Sequence, residues 1–196
     1  MTGMGNVEEL DPDWPVWFMV IDDAADDGLE LEPAMPSYAT QFIFRLRQRI
    51  PTWRALGLDE DDTGAAYADG RVWISISLVD QQDGLALGDI RVDLSAEGWT
   101  GSWTTGPWLA TELANAGPTE QHERSVDDPE VAVGEATDWL EQQLRRPISR
   151  RIWHRDGDIA ASLWQLDDTG RAIVLGGDPA LRQDPDSADE ITRVRG

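Results

Sequence analysis

Tryptophan and arginine carry most of the chemistry open to this chain. There are ten tryptophans against three phenylalanines and two tyrosines, and all sixteen basic residues are arginine. Trp73, Ser75 and Ser77 lie on one side of a period-2 stretch whose other side is Val72, Ile74, Ile76 and Leu78. Trp99 and Trp103 repeat across Thr100, Ser102 and Thr104. Trp153 shares a face with Ser149, Arg151 and Arg155, and Trp164 shares one with Ala160 and Ser162. Burying one indole removes roughly 150–250 Å² from water, worth ~4–6 kcal/mol as an upper bound. Such rings are either covered from within, by helices on both sheet faces, or kept for a partner. Trp and Arg also dominate binding hot spots. The candidate binding surface is therefore Trp73, Ser75, Ser77, Trp99, Trp103, Arg151, Trp153, Arg155 and Trp164.

Catalytic and metal signatures are sparse. Without lysine there is no GxxxxGKS phosphate loop, and Gly101-Ser102 lacks a GxSxG frame. His122 and His154 stand apart, with neither HxH nor HExxH spacing. Asp59, Asp61, Thr63 and Gly64 begin like a calcium loop, but Gly70 stands where its bidentate glutamate belongs, so a solvated acidic loop is the expectation. Carboxylate pairs could be drawn from Asp89, Asp93, Asp156, Asp158, Asp167 and Asp168, yet among 38 acids no spacing favours one pair. No catalytic residue, metal ligand or cofactor is assigned.

Charge narrows the partners. The net charge is −22, and residues 1–33 hold six Asp, four Glu and no Arg. Such a field repels nucleic-acid phosphate and anionic lipid and favours basic partners. Missing lysine fits a GC-rich genome or adaptation to high salt. With no cysteine there is no disulfide framework, which fits a reducing compartment. The acidic start is unlike a signal peptide, and the apolar run Trp14–Ile21 is far short of the ~20 residues of a membrane span. A cytoplasmic location is expected, with no membrane association.

The elements that must position these residues follow from periodicity and turn chemistry. Residues 1–13 read as a flexible acidic lead-in, and 16–21 as a short buried strand or a detachable arm. Residues 37–50 alternate at Phe42, Phe44 and Leu46 as a strand would, yet also repeat every four positions, and their length favours a helix, opened near Pro36-Ser37 and closed by Pro51, with one more helical turn in Thr52–Leu58. Residues 59–70 read as a loop. Three antiparallel strands span Arg71–Thr105, divided by Gln81–Gly84 and Ser95–Gly98. A short helix is expected at Pro107–Leu113, then a loop at 119–127. Pro129–Arg146 is the clearest helix, with Asp128 as N-cap, Pro129 at its first position and Glu130 in its first turn. Ile148–Arg155, Asp158–Leu166 and Arg171–Leu175 form a second meander, its first hairpin turning at Asp156-Gly157.

The sequence therefore predicts a single α+β domain over residues 14–178. It has a mostly antiparallel sheet of about six strands in two three-stranded meanders, with helices packed on it. Residues 179–196 form a polar C-terminal tail, with a frayed helix near 189–194. The function expected is a non-enzymatic acidic protein-interaction module of the immunity-protein or chaperone-adaptor kind. Its partner would be a protein with a basic surface rather than a nucleic acid. One alternative is a small-molecule or sugar-binding protein or enzyme, with a pocket lined by Trp73, Trp99, Trp103, Trp153 and Trp164. Another is a nucleic-acid mimic, which needs acids in two regular rows.

Overall fold

Alternation of apolar and polar residues dictates most of what forms. In a computed structural model that describes residues 17, 18, 20–22, 35–104 and 121–195, the order is β1 (Val20–Asp22), α1 (Ser37–Arg54), β2 (Thr63–Ala68), β3 (Arg71–Asp80), β4 (Leu85–Ser95), β5 (Gly98–Thr104), β6 (Gln121–Ser125), α2 (Pro129–Leu144), β7 (Ile148–Arg155), β8 (Asp158–Leu166), β9 (Ala172–Gly177) and β10 (Glu190–Arg195). Two single-turn 3-10 helices, Leu181–Gln183 and Pro185–Ser187, precede β10. The fold is α+β, as the sequence predicts.

The strands divide into two sheets rather than one. The larger runs β1-β2-β3-β4-β5-β6 and the smaller β10-β7-β8-β9. Every neighbouring pair is antiparallel except β1 and β2, which run parallel. Asp69-Gly70 and Asp156-Gly157 both take positive φ, the turn that matches strand twist and closes a tight hairpin.

Both helices cover one face of the larger sheet. Val72, Ile74, Ile76, Ile90, Val92 and Leu94 are completely buried there, with Phe42, Leu46 and Trp53 from α1 and Val133, Leu140 and Leu144 from α2. The helices run in the same direction, since Gln41 reaches Glu130 at 3.5 Å and Arg49 reaches Glu141 at 3.2 Å. Asp128 caps α2 by accepting from the Glu130 N–H at 2.9 Å. Asp128→Ala is expected to cost about 1 kcal/mol, read as a lower urea midpoint at unchanged slope.

Several expectations need correction. α1 does not stop at Pro51 but continues to Arg54. Interior proline costs ~3 kcal/mol, and burying the Trp53 ring two residues on, worth ~4–6 kcal/mol, outweighs that. The supposed loops at 59–70 and 119–127 contain β2 and β6. Residues 190–195 are not a frayed helix. They alternate as β10 and pair with β7, so the C-terminal stretch is part of the smaller sheet. Trp17, Phe18 and Val20 are buried, and Arg47 donates to the Trp17 and Phe18 carbonyls at 3.2 and 3.1 Å. Trp17, Phe18 and β1 are thus tied to the core. The expected lead-in at 1–13 and helix at 107–113 lie outside the described residues.

Candidate functional site

The face of the larger sheet opposite the helices is built by strand register. One row across it is Ala66, Trp73, Asp93, Thr100 and Glu123, and the next sets Gly64, Ser75, Arg91 and Ser102 side by side. Ser77 stands opposite Asp89 and donates to its carboxylate at 2.7 Å. Trp73, Ser75 and Ser77 are half-buried, while Arg91, Thr100 and Glu123 are exposed. Among the described residues neither helix lies on this face.

Trp73 is its centre. The Arg91 guanidinium lies over the ring, 5.1 Å from the centroid. Its Nε and Nη2 donate to both Asp93 oxygens at 2.9 and 2.8 Å. That hydrogen bonding holds the Arg91 guanidinium above its usual range, against the opposing effect of burial. The ring, the fork and the carboxylate form one stacked unit with polar neighbours on either side. A recess of about 250 Å³ opens beside it at the β4–β5 turn, walled by Arg71, Asp93, Glu97, Thr100 and Glu123. Arg and Trp stacked together, with carboxylates and hydroxyls around them, suit recognition of a flat, polar or cationic surface.

The other nominated residues lie elsewhere. Trp99 and Trp103 pair with Leu94 and Ile90, which puts them on the helix-covered face at 4% exposure each. Trp103 Nε1 donates to Gln143 at 3.0 Å, and the Trp99 ring stacks on His122 at 4.7 Å. Trp153 and Arg151 face the segment that leads into β10. Trp153 Nε1 donates to Ser187 at 3.2 Å and Arg151 Nη1 to the Pro185 carbonyl at 2.9 Å. With the Gln165 amide turned so that its oxygen faces Arg151, Nε and Nη2 of that arginine also donate to it, at 3.0 Å each. These contacts clamp residues 185–187 onto the sheet. Arg155 is exposed and pairs with Asp178 at 3.2 Å. Trp164 is buried between the sheets, its Nε1 donating to Asp80 at 2.7 Å.

Of the nine nominated residues only Trp73, Ser75 and Ser77 come together on an open face. Of the five tryptophans suggested as a pocket lining, Trp99, Trp103 and Trp164 are packed into the main core, Trp153 into a second cluster and Trp73 on the opposite face, so they do not enclose one cavity. Arg91, Asp93, Thr100 and Glu123 complete the face. Arg91 and Asp93 are readable as the polar side of β4, but their partnership with Trp73 needs the β3–β4 register. That register is shifted by a bulge at Leu78/Val79.

The remaining chemical candidates are local. His154 Nε2 lies 3.0 Å from Glu190. In the acidic loop Asp62 accepts from the Asp59 N–H at 2.9 Å, and Asp59 accepts from the Asp61 N–H at 3.0 Å. These carboxylates close a turn on themselves. Burial, first, and the neighbouring Asp59 charge push the Asp62 carboxyl up, while the backbone N–H works against them. Arg146 holds Asp168 below the usual carboxylate range through hydrogen bonds of 2.8 and 2.9 Å. No group of three or more His, Cys, Asp or Glu able to hold a metal occurs among the described residues. No helix among them is long and apolar enough to cross a membrane. No family model, curated protein or solved structure matches the chain.

Proposed function

We propose that this protein is a non-enzymatic interaction module that docks a protein partner with a basic surface on the Trp73 face. The single observation behind this reading is the half-exposed Trp73–Arg91–Asp93 stack at the centre of a face that neither described helix covers. The −22 net charge would draw a basic partner in, and the aromatic–guanidinium centre would set how long it stays. Immunity proteins and chaperone-adaptors work in this way, and a cysteine-free chain suits a reducing compartment such as the cytoplasm.

The test uses the full chain as bait in a native lysate at low and high salt. It is compared with Trp73→Ala and with Thr100→Arg, which places a cation on the exposed face. A stoichiometric protein partner is expected with wild type, more weakly at high salt. Loss of the Trp73 ring should weaken binding about thirtyfold, the scale of a hot-spot residue. Far-UV circular dichroism should show both variants folded. Absence of a stoichiometric partner at either salt, or capture indifferent to both substitutions, counts against the reading.

A further inference from the structure

A second recess lies on the other side of the molecule, where α1 ends and β10 passes. It is an open recess of about 470 Å³ lined by Arg54, Arg193 and Arg195, with Asp62 the one acidic residue in its wall among the described residues. Three guanidiniums around one cavity run against the charge of a chain that is −22 overall. Part of its wall is apolar, because Leu58 and Leu87 present buried side chains and Val194 packs against the core.

Arg195 is the telling residue. Its Nε donates to the Leu144 carbonyl at 2.9 Å, closing the C-terminal end of α2. Its Nη2 is fully buried and finds no hydrogen-bond partner among the described residues. A helix end asks for one such cap and explains Nε. It does not explain a buried, unused donor on a cation, which is costly to leave unmade. Burial pushes this guanidinium down to about 10, and Asp62 only partly offsets that effect. An oxyanion in the recess would balance the three arginines that line it and offset the cost of keeping the Arg195 cation so deeply buried. Arg54 is already oriented by its contact with the Trp17 ring at 5.8 Å, and Arg193 is exposed at the mouth.

We propose that this recess binds a small organic oxyanion, a carboxylate or phosphate monoester with a short apolar body. The head meets the Arg195 and Arg193 guanidiniums, and the body lies on the leucines and valines of the wall. Charge-assisted, two-pronged bonds from arginine supply the specificity. This site is separate from the Trp73 face and does not depend on it.

Isothermal titration of the full chain with phenyl phosphate, benzoate, inorganic phosphate and neutral benzyl alcohol tests the proposal. Saturable 1:1 binding of phenyl phosphate or benzoate is expected, tighter than inorganic phosphate, with no binding of benzyl alcohol. The stronger of the two aromatic anions identifies the head group. Arg193→Gln, an exposed position that should not affect folding, and Arg195→Lys, which keeps the charge but loses the fork, should each weaken binding about tenfold. Trp73→Ala should leave it unchanged. The proposal is overturned if neither aromatic anion binds, if both arginine variants bind like wild type, or if benzyl alcohol binds equally well.

Discussion

Asp80→Ala should lower stability by about 3 kcal/mol, the largest loss expected from any single side chain that is neither large nor apolar. Asp80 is fully buried at the end of β3, where it accepts from Trp164 Nε1 at 2.7 Å and from the Gln82 N–H at 3.0 Å. Trp164 belongs to the other sheet, so this contact spans 84 positions and holds the two layers together. Arg150 lies over the same indole at 4.9 Å and pairs with Asp83 in the turn that follows Asp80. Alanine at 80 leaves an indole N–H buried without an acceptor and a guanidinium-capped ring without its anchor. Thermal unfolding should show a midpoint lower by about 6–12 °C for a chain of this size. Trp164→Phe removes the donor from the other side, and the double variant should be more stable than the two single losses predict, by ~1 kcal/mol or more. A loss below about 1 kcal/mol for Asp80→Ala would mean the link between the sheets is energetically minor.

The second large effect is steric. A Cβ at Gly101 would sit 2.7–2.8 Å from three atoms of the Trp139 ring, closer than real contacts allow. That ring cannot simply swing away, because it packs against Trp99 at 5.7 Å and lies 6.5 Å from His122. Gly101→Val should therefore cost about 3 kcal/mol by forcing α2 off β5. Leucine at 139 frees the space, so Gly101→Val/Trp139→Leu should recover part of the loss in denaturant titrations. If the double variant is no better than the sum of its parts, the strain lies elsewhere.

Much of this architecture was legible because its signals are local. Asp128, Pro129 and Glu130 announce α2 within one turn, and the alternation in 71–80 and 89–94 separates a core face from a polar one. Where information is distant, reading fails. β2 is Thr-Gly-Ala-Ala-Tyr-Ala, with small residues that carry no strand signature and are paired only because β3 offers a ladder. Trp99 and Trp103 share a face by their spacing, but which face depends on counting across Ala96-Glu97 so that Leu94 meets Trp99. Nothing near Trp153 and Arg151 in sequence reveals that residues 185–187 fold over them. Of the candidate face, Trp73, Ser75 and Ser77 were readable from alternation alone, while the stack with Arg91 emerges only from cross-strand pairing.

β1 has only three residues, yet it changes what the neighbouring strand exposes. β2 contains no charged side chain and no proline, and its outer row of amide and carbonyl groups would otherwise be an uncharged template for a strand from another molecule. The parallel pairing of Val20–Asp22 occupies that template with a segment too short to propagate a ladder, followed in sequence by Asp23, Asp26 and Asp27. A strand from another molecule therefore finds the β2 edge already taken along these three residues. Weakening its anchorage, through Arg47 or Phe18, would uncover that edge and so cost colloidal as well as folding stability.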